Sequence, residues 1–344
     1  MIRFANKEEI ASWDTAILAN PNKGGVFQGY EFGEQKRLGG WTPRYILTDE
    51  VAVMVIEKVV FGLGKLWYVP KGPGVTSARA LSKLLPELHE LATQNNVFLI
   101  KFEPELVKTS ETMADILKLG LVGARPVQPS STVLLDISPS LDTILANLNQ
   151  KGRHAIRRAE RDGVTTKLVD ATDENCEIMF NLLKETAAGS FGIRDYIYYK
   201  TFWQRYVQAG LGQLFFAYFN GQVVACAFAI AFGTKGTYKD GASVRERPAY
   251  GASHLLQWRV IEWMKTKSVT LYDFCGSPPS DQINNPQHPY YGFGRFKTSF
   301  NKEVTDYVGV LDYPIKSIAY KVWVKIGEKV VRRLHFYLHH ENYY

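Results

Sequence analysis

Apolar and polar positions along this chain follow two similar series of strand and helix patterns. In the first, PRYIL reads as a short strand, TDE as a turn and VAVMVIEKVVF as a long β-branched strand. GKLWYV follows as a third strand, SARALSKLLPELHELATQNN has helical spacing, and VFLIKFEP closes the series as a buried strand. In the second series QLFFAYF is a strand, and Asn220-Gly221 gives the strongest hairpin signal in the chain. QVVACAFAIAF is its long partner and GTYKDG a third strand; the helix YGASHLLQWRVIEWMKTK and the buried strand VTLYDFCG complete the set. Within that helix His254, Leu255, Trp258, Ile261 and Glu262 recur at helical spacing on a largely apolar face.

A helix between two strands favours a right-handed crossover and parallel pairing. A hairpin, a third strand, a helix and a further strand form the central order of the acetyltransferase-like fold. Its double occurrence predicts an α/β chain of two tandem acetyltransferase-like (GNAT-type) domains. DISPSLD, at Asp136–Asp142, supplies Pro, Ser and a helix cap and marks the expected boundary. The domains are therefore expected at residues 1–138 and 139–312, followed by a basic amphipathic helical tail at 313–344. Pro86 falls inside the first predicted helix and is expected to kink or restart it.

Composition narrows the class without deciding it. Charged residues make up 22% of the chain and hydrophobic residues 46%, the balance of an ordinary globular protein. No run approaches the roughly 20 apolar residues that span a membrane. The opening MIRFANKEEIASWD lacks the apolar core and small-residue cleavage site of a signal peptide, so a cytoplasmic protein is expected. Cys176, Cys226 and Cys275 are too few and too scattered for a disulfide framework or a paired zinc site. Cys226 lies in an apolar run and reads as a core thiol, and His339-His340 has no nearby carboxylate or thiol partner, so no metal and no cofactor are expected. The formal charge of +7 is uneven: KGRHAIRRAER, Lys151 to Arg161, carries five cations against one Glu, and the tail after Pro314 carries six against two. Such runs favour polyanions such as nucleic acid, pyrophosphate or an acidic membrane, although many are simply solvated helix faces.

Several segments together resemble the FemABX family of non-ribosomal peptidyltransferases, which build cross-bridges in bacterial cell walls. They are QGYEFGEQKRLGGW, YVPKGPGV, IKFEPEL, LNQKGRHAIRRAERDGV, LYDFCG and GFGRFKTSF, in this order over nearly the whole chain. The likeness is to the small FemX-like members, because the chain has no sustained heptad stretch that would form the coiled-coil arm of larger relatives. The resemblance implies a substrate groove between the twin acetyltransferase-like domains, aminoacyl-tRNA as donor and a UDP-linked muramyl pentapeptide, or its lipid-linked form, as acceptor. The implied reaction is aminolysis of an activated ester. Positioning and oxyanion stabilisation carry most of its rate, so no serine triad is needed.

The resemblance also implies roles for particular residues. Lys297, which follows Phe296 in the family's FK motif, is the expected oxyanion donor. Glu103, in KFEP, either orients the attacking amine or pairs with Lys101. Lys36, in the pattern formed with Gln28 and Phe32, and Arg194 are expected to hold the precursor's diphosphate. Tyr198, Tyr199 and Tyr238 are expected to line its sugar and peptide, with core packing as the alternative role. On the helix ended by Gly163, Arg153, Arg157 and Arg161 form one stripe, with Lys151 and Arg158 beside it, while Leu148, Ile156 and Ala159 face inward. A tRNA acceptor stem or surface salt bridges would answer those charges.

Two rival readings share the fold. A coenzyme A-dependent N-acyltransferase would cradle pyrophosphate at the start of the central helix. ERPAYGAS there breaks the usual signature, since Arg247 stands four residues before Gly251 rather than three. A non-catalytic RNA- or membrane-binding scaffold would not need Lys36 and Lys297. The tail, with Lys321, Trp323, Lys325, Arg332 and Arg333, suits peripheral contact with the inner membrane surface and equally suits packing with a solvated polar face.

Overall fold

The computed structural model describes residues 2–187, 192–246 and 248–344. They form two units, Met1–Ser130 with Asp306–Tyr344, and Ser131–Thr305.

The first unit is built on a seven-stranded sheet in the order Arg3–Phe4, Thr42–Leu47, Ala52–Val60, Gly64–Val69, Val97–Phe102, Leu311–Pro314, Val122–Gly123. Gly64–Val69 and Val97–Phe102 run parallel, as the intervening helix demands, and the neighbouring pairs are antiparallel. That helix, Ala78–Gln94, starts at Ser77, whose side chain accepts from the Ala80 amide. It buries Leu81, Leu84, Leu85, Leu88 and Leu91, the stripe its periodicity predicts. It is a single helix that runs through Pro86 rather than restarting there.

The second unit has a six-stranded sheet in the order Leu134–Asp136, Leu271–Asp273, Lys235–Ser243, Gln222–Phe232, Gly212–Phe219, Thr165–Val169. Asn220 and Gly221 both have positive φ, 50° and 77°, as the tight hairpin turn requires. Along Gln222–Phe232 successive side chains serve opposite faces. Ala225, Ala227, Ala229 and Ala231 join the core under the central helix Ala252–Thr266. Phe228 meets Phe202 and Trp203 of the helix Tyr196–Gln208 on the other face. The closing strand is shorter than VTLYDFCG suggests, because the backbone leaves the sheet after Asp273 and turns through positive φ at Cys275 and Gly276.

The limits differ from those expected at 138 and 312. Leu134–Asp136 pairs with Leu271–Asp273, so the second unit begins earlier. The chain re-enters the first unit at Asp306, where Leu311–Pro314 pairs with Val97–Phe102 and continues into the tail. Trp323 of the tail is fully buried with its ring 5.7 Å from Phe98. The tail therefore belongs to the first unit and is not a separate appendage.

Candidate active site

In the second unit Lys235–Ser243 and Leu271–Asp273 pair in parallel over three residues only, Lys235–Thr237 against Leu271–Asp273. Beyond them the strands part. Lys297, at the end of the short helix Tyr291–Lys297, reaches into that opening. Its ammonium donates to the carbonyl oxygens of Cys275 and of Gly276, the latter at 2.6 Å, and lies 6.0 Å from the Tyr238 ring. The positive φ at Cys275 and Gly276 accompanies this arrangement: the turn presents two successive carbonyls to one cation. Asp273 fixes the turn from below, accepting from the Cys275 amide at 2.7 Å and from the Thr132 hydroxyl. Burial brings the Lys297 ammonium down to about 8, partly opposed by Cys275 and Asp273. An ammonium has three donors, and among the described residues these carbonyls take two, which leaves a third.

Phe296, beside it, is held among other rings. Its ring packs 4.9 Å from His254 and 5.6 Å from Phe300, and so anchors the helix that ends in Lys297. His254 in turn sits 3.1 Å from the Ser299 hydroxyl, and its pKa falls to about 4 through burial and the charge of Lys151. Tyr238 is raised above the ordinary tyrosine range, chiefly by burial, and its ring lies 6.4 Å from Phe274.

The next residues of the same strand face the other way. Asp240 pairs with Phe228 and Tyr238 with Ala229, so Lys239 is an extra, bulged residue. Its ammonium lies 3.1 Å from Asp240 and 5.0 Å from the Phe202 ring, and Asp240 accepts from the Trp203 indole at 2.9 Å. Burial would lower the Lys239 pKa, but Asp240, Tyr198 and Tyr199 together outweigh it and the net shift is upward. Tyr198 stacks on Phe202, Tyr199 lies 5.4 Å from Trp203, and the Arg194 guanidinium rests 4.5 Å over the Tyr198 ring. The structure thus gathers Arg194, Tyr198 and Tyr199 round one bulge and places Tyr238 with Lys297. Lys239 and Asp240 were not singled out from the sequence; the strand pattern gave no sign of the bulge.

In the first unit Glu103 is buried at the end of Val97–Phe102 and hydrogen-bonded there. It accepts from the Tyr68 hydroxyl and from the Gln128 amide at 3.0 Å, and burial raises its pKa against the opposing charge of Lys71. Its pairing with Lys101 does not occur, because Lys101 bonds Asp312 at 2.6 Å. Glu103, Lys71, Gln128 and Tyr307 line a shallow depression, of which Lys71 and Gln128 were not anticipated. Lys36 is buried on the helix Tyr30–Leu38, 5.4 Å from the Phe32 ring. Gln28 explains part of that spacing: its side-chain amide clamps Met54 N and O (2.9 and 3.0 Å) and Pro70 O (2.8 Å), which fixes where the helix begins.

The basic helix Gln150–Arg161 buries Gly152, Ala155, Ile156 and Ala159, and Leu148 just before it is buried too, as expected. Gly163 follows the cap with φ 88°. Its cations are not equivalent. Arg153 donates to the carbonyls of Ala146 (2.7 Å) and Leu148, closing the end of the preceding helix. Arg158 and Arg161 flank Asp162 at 3.1 and 3.6 Å. Lys151 and Arg157 are exposed. This helix also covers the start of the central helix: a Cβ on Gly251 would collide with the Ala155 carbonyl. The backbone of that helix therefore crowds the amino end of the central helix. Arg247 lies outside the described residues.

Residues 146–287 match the family model described as acetyltransferase (GNAT) domain. The lipid II:glycine glycyltransferases of Staphylococcus aureus (strain MRSA252) and Staphylococcus epidermidis (strain ATCC 35984) are each 20% identical, over 93% of this chain and 94% of theirs. The first alignment spans 404 residues against a chain of 344, so the relative carries insertions that are absent here. The crystal structure of FemX superposes with a TM-score of 0.80 at 20% identity, covering 94% of this chain and 99% of that one. The chain thus carries a GNAT domain and shares its fold with FemX, and it is similar along nearly its whole length to the lipid II:glycine glycyltransferases.

Proposed function

We propose that this chain moves an amino acid from an aminoacyl-tRNA to the stem-peptide amine of a peptidoglycan precursor. The observation that carries the reading is the Lys297 ammonium, held by two carbonyls where two strands part, with one donor uncommitted. The acceptor amine attacks the ester carbonyl carbon, forming the C–N bond and a tetrahedral oxyanion. Collapse breaks the bond to the ribose oxygen, which takes up the proton that the amine gives up. The products are an amide and a tRNA with a free ribose hydroxyl. A fixed ammonium facing the oxyanion supplies about 3 kcal/mol, the scale of one oxyanion-hole donor.

In this reading Phe296 and His254 position Lys297, and Tyr238 forms the adjoining wall. Lys36 and Arg194 bind the precursor's diphosphate, with Tyr198 and Tyr199 at its sugar and peptide. Glu103, held by Tyr68 and Gln128, orients the amine. Lys151, Arg157 and Arg161 meet phosphates of the acceptor stem, whereas Arg153 shapes their helix from within. The relatives' names favour glycine as the first donor to try and a lipid-linked acceptor, which would bring the chain to the inner face of the membrane. The steric cover at Gly251 weighs against the coenzyme A reading.

The test is incubation with charged tRNAs and either the UDP-linked pentapeptide or its lipid-linked form, read by mass spectrometry. An added aminoacyl mass on the precursor is expected. Acetyl-CoA consumption with no aminoacyl addition on either acceptor would replace the proposal with the acyltransferase reading.

A further inference from the structure

The tail carries a surface that the transfer reaction does not use. Helix Ser317–Val322, the π turn Trp323–Gly327 and helix Glu328–His339 follow one another without a break. The inward side holds Trp323, fully buried, and Glu328, which meets Arg332 at 3.5 Å and the Tyr344 hydroxyl at 3.2 Å. The outward side is apolar where water would favour polar residues. Val322, Ile326, Val330 and Leu334 recur every four positions and are 47 to 63% exposed, with Ile318 before them and Leu338 after. Lys321, Lys325, Lys329 and Arg333, all exposed, each stand one position ahead of these apolar residues and form a parallel basic ridge.

In a regular helix positions four apart drift about 40° per step, since a turn takes about 3.6 residues. The π turn, bonded i to i+5, absorbs one residue of that drift and keeps both ridges on the outside. A hairpin tip extends the surface. Phe61 is wholly exposed at the turn before Gly64–Val69, and Leu63 of that turn lies 3.6 Å from where a Cβ on Gly327 would be. Apolar exposure of this extent on one helix is not ordinary surface scatter. No helix among the described residues is long and apolar enough to cross a membrane.

We infer that the helical tail, with Phe61 beside it, is a peripheral docking surface for an anionic bilayer. The apolar ridge enters the boundary between headgroups and acyl chains, and the basic ridge lies against anionic headgroups. Charge selects this occupant: from Lys316 onward six cations face two carboxylates, and one of the two, Glu328, is turned inward. A second copy would bring two basic ridges together. The inference deepens the proposed function, resting on it only for the lipid-linked acceptor that such docking would serve.

The experiment uses the full chain and vesicles that contain neither precursor nor tRNA. Cosedimentation with phosphatidylcholine–phosphatidylglycerol vesicles is expected, with little on phosphatidylcholine alone and partial release by salt. Lys325→Ser with Arg333→Ser weakens partitioning about twenty-five-fold, about five-fold for each cation. Ile326→Ser with Leu334→Ser, and Phe61→Ser separately, also weaken it while circular dichroism stays unchanged. Transfer to the soluble UDP-linked precursor is untouched in all of them, so loss of docking and loss of transfer are told apart. The inference is overturned if both vesicle types are bound equally or not at all. It is also overturned if these substitutions instead abolish self-association in sedimentation velocity, or RNA retention, while vesicle binding is unchanged.

Discussion

Lys101 and Asp312, 211 positions apart in the chain, form an ion pair of 2.6 Å with side chains 0 and 2% exposed. The pair ties the central strand Val97–Phe102 to the returning strand Leu311–Pro314. Burial pushes the Asp312 carboxyl above its ordinary pKa, with Lys101 opposing. Lys101→Met strands a buried carboxylate and should cost about 3–5 kcal/mol, whereas adding Asp312→Leu should restore most of it. A denaturant double-mutant cycle measures this. Additive losses would show that the two groups are not coupled.

In the proposed mechanism the protonation of Lys297 sets an alkaline limit on transfer. Its pKa is about 8, so the ammonium needed for the oxyanion disappears as pH rises through that value. The specificity constant kcat/KM, which reports groups of the free enzyme, should therefore fall above about pH 8. Lys297→Arg, charged throughout, should lose this limb even if slower at neutral pH. An identical alkaline limb in both proteins would place the titration elsewhere.

His254 should contribute to acid sensitivity. Its folded pKa of about 4 lies below the ordinary 6.5, so the unfolded chain takes up the proton first as pH falls. That contribution to stability is whole above pH 6.5 and is lost on the way down to about 4, up to about 3 kcal/mol. His254→Gln should flatten the difference between urea midpoints at pH 7 and pH 4.5 relative to the parent chain. Parallel losses in the two would remove His254 from the explanation.

Gly152 reverses a general rule. Alanine inside a helix is normally favoured over glycine by about 1 kcal/mol. Here a Cβ would fall against the Ser299 carbonyl, close to where the Lys297 helix ends. Gly152→Ala is thus expected to lower the melting temperature and slow transfer, and calorimetry beside a rate assay checks both. A raised melting temperature would mean that the contact relaxes freely.

Much of the fold could be read from local pattern. The two strand–helix series, the hairpin at Asn220-Gly221 and the inward face of the basic helix all follow from periodicities shorter than one element. What escaped depends on distant partners. Nothing near Asp312 announces that it returns to Lys101, so local pattern alone sets the tail apart as a separate piece. Arg153 belongs to an apparent stripe, yet its guanidinium is spent on the Ala146 and Leu148 carbonyls. Lys297 was found through resemblance alone. What holds it, the backbone turn at Cys275 and Gly276, has no side-chain signature, and Lys239 emerges only because a bulge displaces the strand register.

The central claim is that the Lys297 ammonium stabilises the oxyanion of aminoacyl transfer. It is tested most directly by single-turnover transfer from charged tRNA to the precursor, comparing the parent chain with Lys297→Met and measuring tRNA and precursor affinities alongside. A rate lower by about 10²–10³-fold with both affinities unchanged is expected, since the lost interaction forms only in the transition state. A near-normal rate, or a loss confined to binding, would contradict it.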